Sequence, residues 1–81
     1  MKVVCTNDKQ LPPGAEVVLG IEYEVAESFK NNFDEIVYLV KGVNNEGRTR
    51  FGLPWIGYKA TRFAKLDSIE EKEVEYNFAL N

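Results

Sequence analysis

Apolar and polar positions alternate with a period of two in several stretches of the chain, which is the signature of strands with one buried and one wet face. Residues 2–6 read as a first short strand. It is closed by the turn-forming Asn7-Asp8-Lys9-Gln10 and then by Leu11-Pro12-Pro13-Gly14, where two prolines and a glycine break regular structure and demand a loop. In Gly20-Ile21-Glu22-Tyr23-Glu24-Val25 the residues Ile21, Tyr23 and Val25 alternate with two glutamates. Gly20 sits where a strand bends or bulges, and Val17-Val18-Leu19 before it reads either as a separate strand or as an approach loop under the core.

Residues 28–34 contain Asn31-Asn32, a natural tip between two strands. Residues 35–43 follow as the most β-prone segment, whose five consecutive apolar residues from Ile36 to Val40 suggest a central strand covered on both sides. Asn44-Asn45-Glu46-Gly47 is a turn signal, and residues 48–51 are expected to return as the hairpin partner of that central strand. Gly52-Leu53-Pro54-Trp55-Ile56-Gly57 argues against regular structure, and residues 58–63 suit one tight turn before residues 63–66 re-enter the sheet. The tail carries two conflicting signals. Ser68 with Glu71 matches a helix capping box, whereas Val74, Tyr76, Phe78 and Leu80 alternate with Glu75, Asn77, Ala79 and Asn81 as a strand would. The extended reading is preferred.

Short strands, turns rich in glycine and proline, and the lack of a three-turn amphipathic helix predict an all-β fold. An open five-stranded sheet would leave long edges and a bare face, so a small SH3-like five-stranded barrel over residues 1–66 is expected, with residues 67–81 as an extra acidic C-terminal segment packed on the barrel or on a partner. An OB-fold is the alternative. At 81 residues and 9.2 kDa there is room for one core only.

The segment Met1-Lys2-Val3-Val4-Cys5, with Gly20-Ile21-Glu22-Tyr23-Glu24-Val25 and Tyr58-Lys59-Ala60-Thr61-Arg62-Phe63, resembles a group of small uncharacterised proteins of bacteriophages, prophages and Bacteroides-type bacteria. In that group a G-x-x-Y-x-V strand precedes, after a variable hairpin, a segment ending in Ala-Ser-Arg-Phe. Here Thr61 stands at the serine position and the tail is longer. The resemblance covers residues 1–66 and implies an SH3-like barrel, with no catalytic residues to carry over.

Composition narrows the chemistry. There is no histidine and one cysteine, which removes Ser-His-Asp and Cys-His catalysis, His-ligated metals and an internal disulfide. No cofactor and no enzymatic activity are expected. The N-terminus lacks a signal-peptide pattern, and no run approaches the roughly 20 apolar residues of a membrane span. With the lone Cys5 read as a small buried hydrophobe, a cytoplasmic protein is expected.

The net charge of −3 hides an asymmetry. Residues 1–46 carry four Lys/Arg and eight Asp/Glu, residues 47–66 five and none, and residues 67–81 one and five. In the positive stretch Arg48, Arg50, Lys59, Arg62 and Lys65 are interleaved with Phe51, Trp55, Tyr58 and Phe63, a mixture suited to single-stranded nucleic acid. The alternative is that the cations are solvated and that Phe51 and Phe63 are core. Trp55 and Tyr58, with Tyr23 or Tyr38, are candidates for an aromatic peptide groove, against a reading of Trp55 as a plug at one barrel end. The tail alternation suits edge pairing in a homodimer. Glu22, Glu24 and the tail glutamates read as solvated surface. The expected function is therefore a protein- or peptide-binding accessory module, with a nucleic-acid binder using residues 48–65 as the alternative.

Overall fold

The computed structural model describes residues 1–66, so the expectations for the tail, its strand and its dimer contact lie outside the described residues. Seven strands form in chain order: β1 Lys2–Cys5, β2 Glu22–Lys30, β3 Ile36–Val40, β4 Glu46–Arg48, β5 Pro54–Ile56, β6 Tyr58–Lys59 and β7 Phe63–Lys65. A 3-10 turn, Ala60–Arg62, lies between the last two. Five strands make an antiparallel sheet in the order β6-β3-β2-β1-β7, and β4 pairs with β5 in a separate two-stranded hairpin.

The all-β expectation is met, but the sheet is not closed into a barrel. β6 is two residues long and runs straight into the 3-10 turn, which hands the chain to β7 on the far edge of the sheet. No ladder joins these two edges. The turn is tied to the end of β1 instead, through the Thr6 and Asn7 amides donating to the Arg62 carbonyl at 2.7 and 3.2 Å.

The pairing within the sheet departs from the sequence reading in three places. β3 lies next to the edge and β2 takes the centre, because β2 is nine residues long and serves β1 with its first half and β3 with its second. Residues 48–51 do not pair with β3, since β6 occupies that position, with Val37 opposite Lys59 and Tyr38 opposite Tyr58. Pro54–Ile56 forms a strand despite its proline. β5 has a single partner, so the missing proline amide falls on a free edge. Val17-Val18-Leu19 is an approach loop, and the β-bulge falls between Val25 and Glu27 rather than at Gly20.

The core gathers Val3, Cys5, Val17, Val25, Tyr38, Val40 and Tyr58. Cys5 is fully buried as a small hydrophobe, in agreement with its alternation in β1. Phe63 is half-buried and packs edge-on against Tyr23 and Tyr58, with ring centroids 6.4 Å apart in both cases. Val37 is buried on the opposite face of β3 from Tyr38, so this strand is indeed covered on both sides. Ile21, expected inside, is 50% exposed; it lies just before β2, next to the turn at Gly20.

The long connection from residue 6 to residue 21 is held along its length. The Cys5 amide donates to the Ile21 carbonyl at 3.0 Å and the Gly20 amide to the Cys5 carbonyl at 2.8 Å, which zips its base. Farther out, the Tyr23 hydroxyl accepts from the Val18 amide and the Tyr58 hydroxyl from the Glu16 amide, at 2.9 and 3.1 Å. Among the described residues no helix is long and apolar enough to cross a membrane.

Candidate groove between the long loop and the β4–β5 hairpin

The β4–β5 hairpin turns through residues 49–53, and its conformation follows from one threonine. The Thr49 amide donates to the Leu53 carbonyl at 2.7 Å and the Gly52 amide to the Thr49 carbonyl at 2.9 Å, while Thr49 Oγ1 accepts from the Phe51 and Leu53 amides at 3.3 and 3.2 Å. Arg48 donates from its guanidinium to the Gly52 carbonyl at 2.8 Å. Gly52 supplies the positive φ of 79° that the turn requires. The result is a fixed tip that presents Phe51 at 89% and Leu53 at 62% exposure.

Opposite this tip lies Leu11-Pro12-Pro13 of the long loop. Trp55 on β5 joins the two walls, because its indole N–H donates to the Pro13 carbonyl at 3.2 Å and its ring tilts against Tyr58 at a centroid distance of 5.7 Å. Gly47 on β4 makes this placement possible: a methyl group there would stand 2.7 Å from Trp55 Nε1. Asn44 bolts the loop from behind. Its amide group donates to the Gly14 and Glu46 carbonyls at 3.0 and 2.6 Å, its backbone N–H donates to Glu16 Oε1 at 2.6 Å, and its carbonyl accepts the Tyr58 hydroxyl.

Between the walls runs an open groove of about 620 Å³. Leu11, Pro12 and Pro13 form one side, Arg50, Phe51 and Leu53 the other, and Trp55 the floor, with Gln10 and Thr49 at the rims. Its surface is mostly apolar, as binding clefts are.

The structure distributes the residues singled out in the sequence unevenly. Trp55 and Arg50 line the groove. Tyr58 sits beneath Trp55 and is only 2% exposed, so it belongs to the core and presents no face to a ligand. Burial pushes its hydroxyl pKa above 10.0. Tyr38 is buried as well, and Tyr23 is half-buried away from the groove. Phe51 is not core, in contrast to Phe63. Its position next to Gly52 in a turn rather than in a strand accounts for the difference.

The basic stretch is divided among local tasks. Lys59 pairs with Glu35 at 3.1 Å, and that carboxyl is held below its usual pKa of 4.5, first by a hydrogen bond from Asn31 and then by Lys59. Arg62 donates to the Asn7 and Lys9 carbonyls at 3.2 and 2.8 Å, pinning the start of the long loop. Arg48 is engaged at the hairpin tip. Only Arg50 of the five lines the groove, and it forms no ion pair among the described residues.

Phe51 and Leu53 stood in the candidate stretches around Trp55, whereas Leu11, Pro12 and Pro13 are groove residues that the sequence reading took only as a loop. The available signal was two proline- and glycine-rich loops carrying large apolar residues with no strand to bury them. No family model, curated protein or solved structure matches the chain.

Proposed function

We propose that the chain is a non-catalytic peptide-binding module that receives an extended segment of a partner protein between the Leu11-Pro12-Pro13 loop and the β4–β5 hairpin. The observation that carries this reading is Phe51, a large aromatic side chain held 89% exposed on a hydrogen-bonded tip beside Leu53 and Trp55. Left exposed, such a residue forgoes the roughly 1.5–3 kcal/mol that burying an aromatic side chain supplies. It becomes favourable when a partner covers it.

We propose beside it that the sheet is an unclosed variant of an SH3-like arrangement. The order β6-β3-β2-β1-β7, a long loop after the first strand and a 3-10 turn before the last are features of that architecture, with the β4–β5 hairpin as an insertion. SH3 domains dock extended peptides in aromatic-lined grooves. A reducing cytoplasm suits a domain whose one cysteine is a packing residue.

The test is selection of a random peptide-display library on the immobilised full chain, followed by titration of the recovered peptides in solution. Phe51→Ala is expected to weaken them at least tenfold with an unchanged circular dichroism spectrum. Raising NaCl tenfold is expected to change the affinity less than about fivefold, because the contacts are chiefly apolar. A nucleic-acid ligand held by five cations would instead lose on the order of a thousandfold over that range. Failure to recover any peptide, or indifference to Phe51→Ala, would count against the groove.

A further inference from the structure

From the groove proposed above we infer the class of peptide it takes: an extended apolar segment with a carboxylate side chain flanking its apolar anchors, read by Arg50. The inference rests on charge complementarity. Among the described residues no acidic side chain lines the groove, and Arg50 is its only charged lining residue. The surrounding residues 47–66 contain no Asp or Glu, although the whole chain is at −3. Among the described residues Lys59 and Arg62 are engaged with Glu35 and with loop carbonyls and Arg48 with Gly52, Lys65 lies outside the groove, and the Arg50 guanidinium has no ion-pair partner.

Placement favours the same assignment. Thr49 and Phe51, on either side of Arg50, have their backbones fixed by the Thr49 amide and hydroxyl bonds, so the root of this long side chain is held at the groove wall. Across from it, Gln10 is held at a positive φ of 56°, a conformation that few residues without a glycine's freedom adopt. Gln10 also lines the groove and adds a neutral polar side chain to it. The floor selects against a polyproline ligand that needs an indole donor, because the Trp55 N–H is already given to Pro13 and only the ring face remains. What is left to a partner is apolar surface from Phe51, Leu53, Leu11 and Trp55, and one planar cation suited to a carboxylate.

The test uses the peptides recovered by library selection on the full chain at low salt, resynthesised with a fluorescent label and titrated by anisotropy. Enrichment of Asp or Glu beside two apolar positions is expected. Arg50→Glu should weaken such a peptide about tenfold, while the same peptide with Gln in place of the acid should lose less than about twofold. A Lys-substituted peptide should bind Arg50→Glu more tightly than it binds the original chain. If the recovered peptides lack an acid and Arg50→Glu binds them normally while Phe51→Ala does not, the acidic class is wrong and the peptide reading stands. If no peptide is recovered and sedimentation shows a dimer that Phe51→Ala dissociates, a second copy covers the groove and the inference is overturned.

Discussion

Two glycines with nearly the same backbone angle separate strain from contact. Gly20 and Gly57 have φ of 85° and 71°, but a methyl group on Gly20 would meet nothing within 4 Å, whereas one on Gly57 would strike Val37 Cγ1 and approach the Tyr38 carbonyl oxygen to 2.9 Å. Gly20→Ala is therefore expected to cost about 1–2 kcal/mol from the left-handed backbone alone. Gly57→Ala should cost about 3 kcal/mol or more, because the β6–β3 contact must open. Thermal unfolding of the two variants checks this. Tyr58 offers a second test, since its hydroxyl sits between the Glu16 amide and the Asn44 carbonyl. Removing it in Tyr58→Phe should cost about 1–2 kcal/mol at neutral pH. Its raised pKa means that the native state holds the phenol proton more tightly than the unfolded chain does. That contribution is complete below pH 10 and is lost as the pH climbs through the native value. Urea midpoints between pH 9 and 11.5 should fall less steeply for Tyr58→Phe than for the parent.

Asparagines, more than hydrophobic pattern, define where the strands stop. Asn45 accepts from the Val40 amide at 2.7 Å and donates to the Val40 and Val43 carbonyls at 2.8 and 3.0 Å, so its side chain continues the bonding of β3 after the backbone has turned away. Its own carbonyl accepts the Gly57 amide at 2.6 Å, which fixes the start of β6. Asn45→Ala should therefore lower stability by about 2–3 kcal/mol, read as a denaturation midpoint, because a buried strand end is left without partners. Asn31 does the same for the β2–β3 connection, accepting from the Phe33 and Glu35 amides at 2.9 and 3.0 Å. Both asparagines were legible as turn formers. Their bonding partners were not, because an Asn-Asn pair specifies a turn but not which amide it will satisfy. The β4–β5 hairpin shows the same limit, since Arg48 and Pro54 are equally compatible with pairing to β3 until β6 is found to hold that edge.

Trp55 couples the stability of the domain to its groove, and Phe51 does not. The Trp55 side chain bonds to Pro13, packs on Tyr58 and borders the core, so Trp55→Ala is expected to lose about 2–3 kcal/mol and loosen the long loop. Phe51→Ala removes a side chain that is 89% exposed and should shift the melting temperature by no more than about 2 °C while weakening peptide binding at least tenfold. Measuring both properties on both variants separates a plug from a contact surface. On the proposed function Trp55 would serve as both, which neither of the two sequence readings of this residue included.

Strand period, the buried cysteine, the loop after residue 6 and the turn before the last strand were all encoded in neighbouring residues, and each is found in the fold. These are local properties, set by alternation and by the backbone limits of glycine and proline. The lack of histidine restricted the chemistry in the same direct way. The strand order, the open edges, the sinking of Tyr58 and the exposure of Phe51 arise from pairings between residues far apart in the chain. A period of two states that a strand has two faces, but only the packed neighbours determine which face is covered and which cation is left over. The positive stretch was visible as composition, and the three-dimensional arrangement divided it, leaving Arg50 as the one cation that lines the apolar groove among the described residues.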